Sequence, residues 1–489
     1  MTPRLARRLG ERELPLALAA TVLTAGLAYL GASKGVAGLL LPLLLLGLGL
    51  MMMRPAAMVT MVTALVILCE GEQFGLFASI TAKLYDGKYF HEVSPLDVLV
   101  ALTLVSVGMG LKRERRRLRV PFVLVLSQSL LAVAMLAGAA TGKGAGNSVR
   151  SEILAENVLL YLLLLPIAVA NLKLDREQVT RLIGAGVALA VVKSVLGLLE
   201  VLGHHGVAVE GRTILTYYEP TANWTVMCAL FGLLALALAR VRPPRWTIAC
   251  APLLLACLLL SYRRSFWIAT VLGVLLLALL ASSATGRRFF IPAGLMVALA
   301  VWALGSSANL QNSSSPIVQR LASLNPSKLE ANAEDRYRLD ERANVLGAIE
   351  EHPITGLGLL VPWSASFRPL PVEHEDGREY VHFAALWFWL KLGILGLFAY
   401  IGVLLAGITL AVRVWRTASE PVIRAFGVAS LAAIVGLAVM DTTASFTGVE
   451  PRFTVVLGVQ LGLLALLAGV GSPDGAQAPS DIRASAAVV

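Results

Sequence analysis

Apolar stretches long enough to cross a bilayer recur along almost the whole chain, and that recurrence leaves few folds open. They fall near residues 15–32, 36–53, 55–70, 95–111, 120–140, 153–171, 182–203, 222–240, 246–262, 265–283, 289–306, 392–412, 424–441 and 453–471. In hydrocarbon a backbone must satisfy its own hydrogen bonds, so a run of about 20 apolar residues reads as a transmembrane helix. The pattern predicts an all-α polytopic integral membrane protein of about 12–14 transmembrane helices, with the division of the first three spans the least defined. Composition agrees: the chain is 57% hydrophobic and 15% charged, with a mean hydropathy of +0.76. The first apolar segment lacks a small-residue cleavage site and is followed at once by another, so it is expected to be a retained span.

The net charge of +10 suggests nucleic acid only until its placement is considered. Basic residues gather at span ends. Arg4, Arg7, Arg8, Arg12, Arg54, the run KRERRRLR (112–119), Lys173, Arg176, Arg181, Arg240, Arg242, Arg245, Arg287, Arg288, Arg413 and Arg416 all fall on one side if the N-terminus is cytoplasmic. The opposite loops hold only Lys34, Lys83, Lys88, Lys143, Arg150 and Arg212 before the long outer segment. Both termini are therefore expected in the cytoplasm. The 112–119 run is read as a topology signal with affinity for anionic headgroups. Cys69, Cys228, Cys250 and Cys257 lie in or beside apolar segments, without metal-type spacing or a disulfide framework.

One segment breaks the apolar pattern. Residues 307–383 form a polar stretch on the outer face, including the charged, helix-like KLEANAEDRYRLDERANVLGAIEEHP (328–353). A structureless loop of that length is improbable, so a small helical cap is expected. It returns to the membrane through FAALWFWLKLG, an aromatic piece suited to the interface. The expected organisation is residues 1–306 as about eleven spans, 307–391 as cap and interfacial helix, 392–471 as the last spans and 472–489 as a disordered cytoplasmic tail.

Several charges sit where a bilayer protein ordinarily avoids them. Arg212 lies on the outer side ahead of EPTAN (219–223), where the bland reading is a snorkelling anchor. Arg263 and Arg264 share a tight outer turn, LSYRRSFW (260–267). Two adjacent arginines there repel each other unless an anion compensates, and the guanidinium fork suits a phosphate. Glu156, Lys193, Glu200 and Asp441 are intramembrane or near a span end, and such groups face bundle interiors, pair or line polar cavities. His374 and His382 close the outer segment in VEHEDGREYVH (372–382). This stretch lacks a helical i,i+4 histidine pair with a third ligand, so no metal site and no cofactor is expected. His382 alone reads as an interfacial helix cap or as a base.

Three patterns together resemble the superfamily of bacterial O-antigen ligases and O-antigen polymerases. They are Arg212 leading through EPTAN into a helix, Arg264 in YRRSFWIA at a span start, and an outer segment carrying Arg342, Ala348, Ile349, HPITGLG (352–358), His382 and GILGL (393–397). Their order and side of the membrane agree over roughly residues 180–415. The family commonly has His-Asn where this chain has His382-Phe383, which keeps His374 as the second histidine candidate.

The resemblance implies a metal-independent glycosyltransferase in a bacterial inner membrane with a periplasmic active site. It would move a glycan from undecaprenyl diphosphate to a hydroxyl of lipid A–core, with inversion. His382 is then the expected base, Arg212, Arg264 and Arg263 the diphosphate ligands, and Arg336, Arg338, Arg342 and His374 possible cap contacts. A polysaccharide polymerase or a protein O-oligosaccharyltransferase of the same fold is the alternative. A lipid-linked oligosaccharide transporter is a further one, although the chain lacks the internal repeats such proteins tend to show.

Overall fold

The computed structural model describes residues 47–69, 85, 93–148, 150–151, 157–203, 220–239, 245–280, 333–370 and 380–470. The expected spans at 15–32, 36–53 (for the most part) and 289–306, together with Glu156, Arg212 and His374, lie outside the described residues. Within them the chain forms α1 (Pro55–Leu68), α2 (Pro95–Arg113), α3 (Phe122–Gly144), α4 (Asn157–Ala170), α5 (Arg176–Leu202) and α6 (Pro220–Leu238). Then come α7 (Arg245–Leu260), α8 (Arg264–Leu280), α9 (Ala333–Glu351), α10 (Ala384–Thr417), α11 (Pro421–Met440) and α12 (Pro451–Val470).

Among the described residues, seven helices are long and apolar enough to span a membrane: α2, α3, α5, α6, α10, α11 and α12. With the shorter apolar helices α1, α4, α7 and α8, they make a multi-pass membrane protein. Local chemistry sets where several of them begin. Ser94 and Asp97 close a capping box at α2, with Pro95 in the first turn; Asp175 and Gln178 do the same at α5. Each box satisfies amides that the first helical turn leaves open.

The helices pack through small residues and a few polar links, as expected where burial of apolar surface gives little drive between helices. A Cβ on Gly462 of α12 would stand 2.8 Å from the Pro166 carbonyl oxygen, so glycine permits the close approach of α4. Deeper in, the Trp224 indole N–H of α6 donates to Gln460 Oε1 on α12 at 3.2 Å. The Gln460 amide in turn donates to Ser430 Oγ on α11 at 3.0 Å. Of the seven spanning helices α12 is the most buried and α5 the most exposed.

The cap is not a loose loop. Asn344 on α9 is wholly buried. Its Oδ1 accepts the Phe367 and Arg368 amides at 2.8 and 2.9 Å. Its Nδ2 donates to the Asp340 and Arg368 carbonyls, both at 2.9 Å. Past α9, residues 352–363 are stitched into α10. The expected interfacial piece and the span after it meet at Gly393, whose φ of 69° and ψ of −166° interrupt the helix. Leu357 N–H donates to the Leu390 carbonyl at 2.7 Å, and Ile394 N–H donates to Ile354 at 3.2 Å. The Trp389 indole donates to the Pro353 carbonyl at 2.8 Å, and the buried Lys391 ammonium donates to Val361 at 2.6 Å. The backbone groups freed by the break thus find partners in the cap, as buried non-helical backbone requires.

Candidate functional site

The turn joining α7 to α8 is three residues long, and Tyr262 occupies the left-handed region (φ 51°) to make it. Arg263 then stands at the N-terminal boundary of α8, and Arg264 is its first residue. A helix N-terminus already carries partial positive charge, so two arginines there create a strong demand for an anion. Among the described residues the structure meets it with Asp335 of α9. Arg264 Nη1 donates to Oδ2 at 3.0 Å and Nη2 to Oδ1 at 2.5 Å, a two-pronged pairing. Both side chains are nearly buried, at 12% and 7% exposure. Arg338 Nη1 lies 4.0 Å from the same carboxylate. The Arg263 guanidinium sits 5.7 Å above the Phe446 ring.

Six residues along α9 from Asp335, about 9 Å of helix axis, Glu341 holds His382. The carboxylate accepts the His382 backbone N–H at 3.0 Å and lies 3.1 Å from Nδ1 through either oxygen. Both residues are buried. Tyr380 and Tyr337 stand edge-on to the imidazole, with ring centres at 4.9 and 5.8 Å.

The backbone around His382 is fixed from the other side by the turn after α11. Ser445 Oγ–H donates to the Val381 carbonyl at 2.5 Å, and Ala384 N–H donates to the Asp441 carbonyl at 3.0 Å. The Asp441 carboxyl accepts from Thr447 Oγ at 2.6 Å, from the Tyr400 hydroxyl at 3.1 Å and from the Phe446 amide at 3.1 Å. Burial pushes that carboxyl up to about 6, with the hydrogen bonds opposing the rise.

Of the expected cap contacts, Arg342 places its guanidinium 5.9 Å above the Phe383 ring, next to His382. Arg338 is near the arginine end through Asp335. Arg336 is exposed and pairs at 3.7 Å with Asp340, which Arg368 also approaches at 3.3 Å, so it belongs to the cap's outer surface. Lys193 is buried in α5 and donates to the Leu68 carbonyl of α1 at 3.3 Å, away from these groups in sequence and element. Neither Glu341 nor Asp335 stands out in the sequence. In a helix with so many charges, two carboxylates look like part of a solvated face.

Two chemically distinct ends therefore share one helix. One offers an arginine fork beside a helix N-terminus, matched to paired anionic oxygens. The other offers an imidazole with one ring nitrogen occupied by a carboxylate. Residues 249–401 match the O-antigen ligase family model. That stretch is thus similar to the O-antigen ligase family and reads as a domain of that type. Arg264, Asp335, Glu341 and His382 all fall inside that O-antigen ligase domain, whose family comprises glycosyltransferase-like enzymes. A search of curated proteins returns no match to this chain.

Proposed function

We propose that this O-antigen ligase domain transfers a glycan from undecaprenyl diphosphate to an acceptor hydroxyl, that of lipid A–core in the ligase reading. The reaction would run at the periplasmic face of the inner membrane. The observation that carries the reading is the holding of Arg264 and His382, through buried carboxylates, on the one cap helix α9. The lysine and arginine distribution supports a periplasmic cap with both termini cytoplasmic.

In the proposed step the acceptor oxygen attacks the anomeric carbon as His382 takes its proton. The bond from that carbon to the diphosphate oxygen breaks, and undecaprenyl diphosphate leaves with the bonding electrons. Attack opposite the leaving group inverts the anomeric centre. A sugar hydroxyl is a weak nucleophile, and a positioned base contributes about 10²–10⁴-fold. Negative charge grows on the diphosphate, and fixed donors in a water-poor site stabilise it. Arg264 is the chief candidate, with Arg263, Arg338 and Arg212 as further ligands. The donor carries its own activation, so the scheme calls for neither metal nor nucleotide.

The test is transfer by purified protein in detergent with EDTA, from an undecaprenyl-diphosphate glycan to lipid A–core, beside His382→Ala. Product from wild type and none from His382→Ala supports the reading. Transfer by the variant at the wild-type rate sinks the role of His382. Donor consumption only when the donor also serves as acceptor would favour the polymerase alternative. Movement of labelled carrier across vesicle leaflets without transfer would favour a transporter.

A further inference from the structure

We propose that Glu341 is a positioning residue for His382, holding the imidazole in the tautomer that leaves Nε2 as the proton acceptor. The inference rests on the glycosyl-transfer reading and adds to it the group that makes His382 a competent base.

Glu341 is 1% exposed, and its only ion-pair contact among the described residues is with His382. A buried carboxylate without a lysine or arginine is costly, and it persists where hydrogen bonds satisfy it. An ionised carboxylate only accepts. With both its oxygens 3.1 Å from Nδ1, that nitrogen must carry the hydrogen, and the lone pair falls to Nε2. The same carboxylate also takes the His382 backbone N–H at 3.0 Å, so ring and main chain are fixed by one group. The edge-on Tyr380 and Tyr337 rings limit rotation about the ring axis. When Nε2 accepts the acceptor's proton, the imidazolium forms beside a negative charge already in place. In a buried setting such pre-set compensation is worth much more than in water.

The geometry makes one substitution unusually diagnostic. In Glu341→Gln the amide oxygen is drawn to the His382 backbone N–H, because that donor is otherwise stranded. The amide NH₂ then takes the place of Oε1, 3.1 Å from Nδ1, where it competes with the amide oxygen for that nitrogen; when Nδ1 accepts from it, the hydrogen moves to Nε2. The side chain keeps its size and the ring keeps its place, but the tautomer is no longer held and the negative charge beside the imidazolium is gone.

Wild type, His382→Ala, Glu341→Gln and Glu341→Asp are compared for transfer from an undecaprenyl-diphosphate oligosaccharide to lipid A–core, with thermal unfolding followed by tryptophan fluorescence. The expected result is a kcat for Glu341→Gln lowered by about 10²-fold or more, a donor KM within about threefold and little change in unfolding midpoint. Glu341→Asp, which restores the charge on a shorter arm, should regain at least about tenfold of that loss. Glu341→Gln with wild-type kcat while His382→Ala is inactive would overturn the positioning role and leave the base intact. Equal losses in Gln and Asp variants, tracking a fall in unfolding midpoint, would reduce Glu341 to a structural contact and overturn the inference too. Should Glu341→Gln not fold, Glu341→Asp decides: a lowered kcat at unchanged KM supports the role, and an unchanged kcat rejects it. An active His382→Ala, or no glycan transfer by wild type, overturns the underlying reading and the inference with it.

Discussion

Arg264→Lys separates charge from geometry at the arginine end. The resting protein makes two parallel bonds from this guanidinium to Asp335, at 3.0 and 2.5 Å. Lysine keeps the positive charge but is a single point on a flexible stem, so it can face one oxygen where the fork faces two. One charge-assisted hydrogen bond is worth about 1.5–3 kcal/mol. At about 1.4 kcal/mol per tenfold, the loss in kcat/KM should fall between about 10- and 150-fold. Steady-state transfer from an undecaprenyl-diphosphate glycan measures it directly. The same lost bond also weakens the tie to Asp335, so the unfolding midpoint drops. A double-mutant cycle with Asp335→Asn divides the two effects. If the fork acts on the diphosphate, the kinetic penalty of Arg264→Lys persists with Asp335 neutralised. Were the penalty to vanish in that background, or stay within threefold of wild type throughout, Arg264 would be a strut for α9 and no ligand of the donor.

Two further outcomes follow from the packing. Gly393→Ala puts a side chain into the Ile354–Thr355 backbone, at a φ/ψ pair that only glycine adopts readily. The strain of about 1–3 kcal/mol plus a weakened cap hydrogen bond of about 1 kcal/mol should lower stability by roughly 2–4 kcal/mol, read as a thermal shift in detergent. Asp441 should make stability depend on acidity. Its folded carboxyl titrates near 6, above the ordinary value, so its protonated form is the one the fold favours. That contribution is full below about pH 4 and is lost as pH rises through 6, a swing of roughly 3 kcal/mol. Asp441→Asn, which mimics the neutral acid, should flatten the pH 4–7 unfolding profile; an unchanged slope would refute the assignment.

The fold was legible because lipid makes hydropathy nearly sufficient. The stretches expected at 120–140 and 453–471, for example, become α3 at Phe122–Gly144 and α12 at Pro451–Val470. What the sequence hid were relations between distant residues. Gly393 in GILGL reads as a tolerated helix glycine. Only the structure brings Ile354 and Leu357 against it, nearly forty residues earlier in the chain. Arg263 and Arg264 were conspicuous because they offend the charge bias, yet their counter-ion lies some seventy residues away in a segment full of charge. Glu341 carried no local signal, since its meaning comes only from the histidine it reaches. Arg212 and His374 lie outside the described residues, and their roles stand as proposals.

The main-chain knot at Gly393 also bears on traffic. A cap tied to its span by side chains alone could swing on a hinge; one tied by paired, buried peptide groups would have to strand them to open. We therefore expect the cap to act as a fixed roof, with lipid-linked substrates entering sideways beneath it. Distance measurements by paired spin labels on α9 and α3 should stay constant through turnover, and a wide swing between them would speak for a lid. On the glycosyl-transfer reading, a roof of that kind would leave the choice of substrate to the gaps between helices rather than to a moving lid.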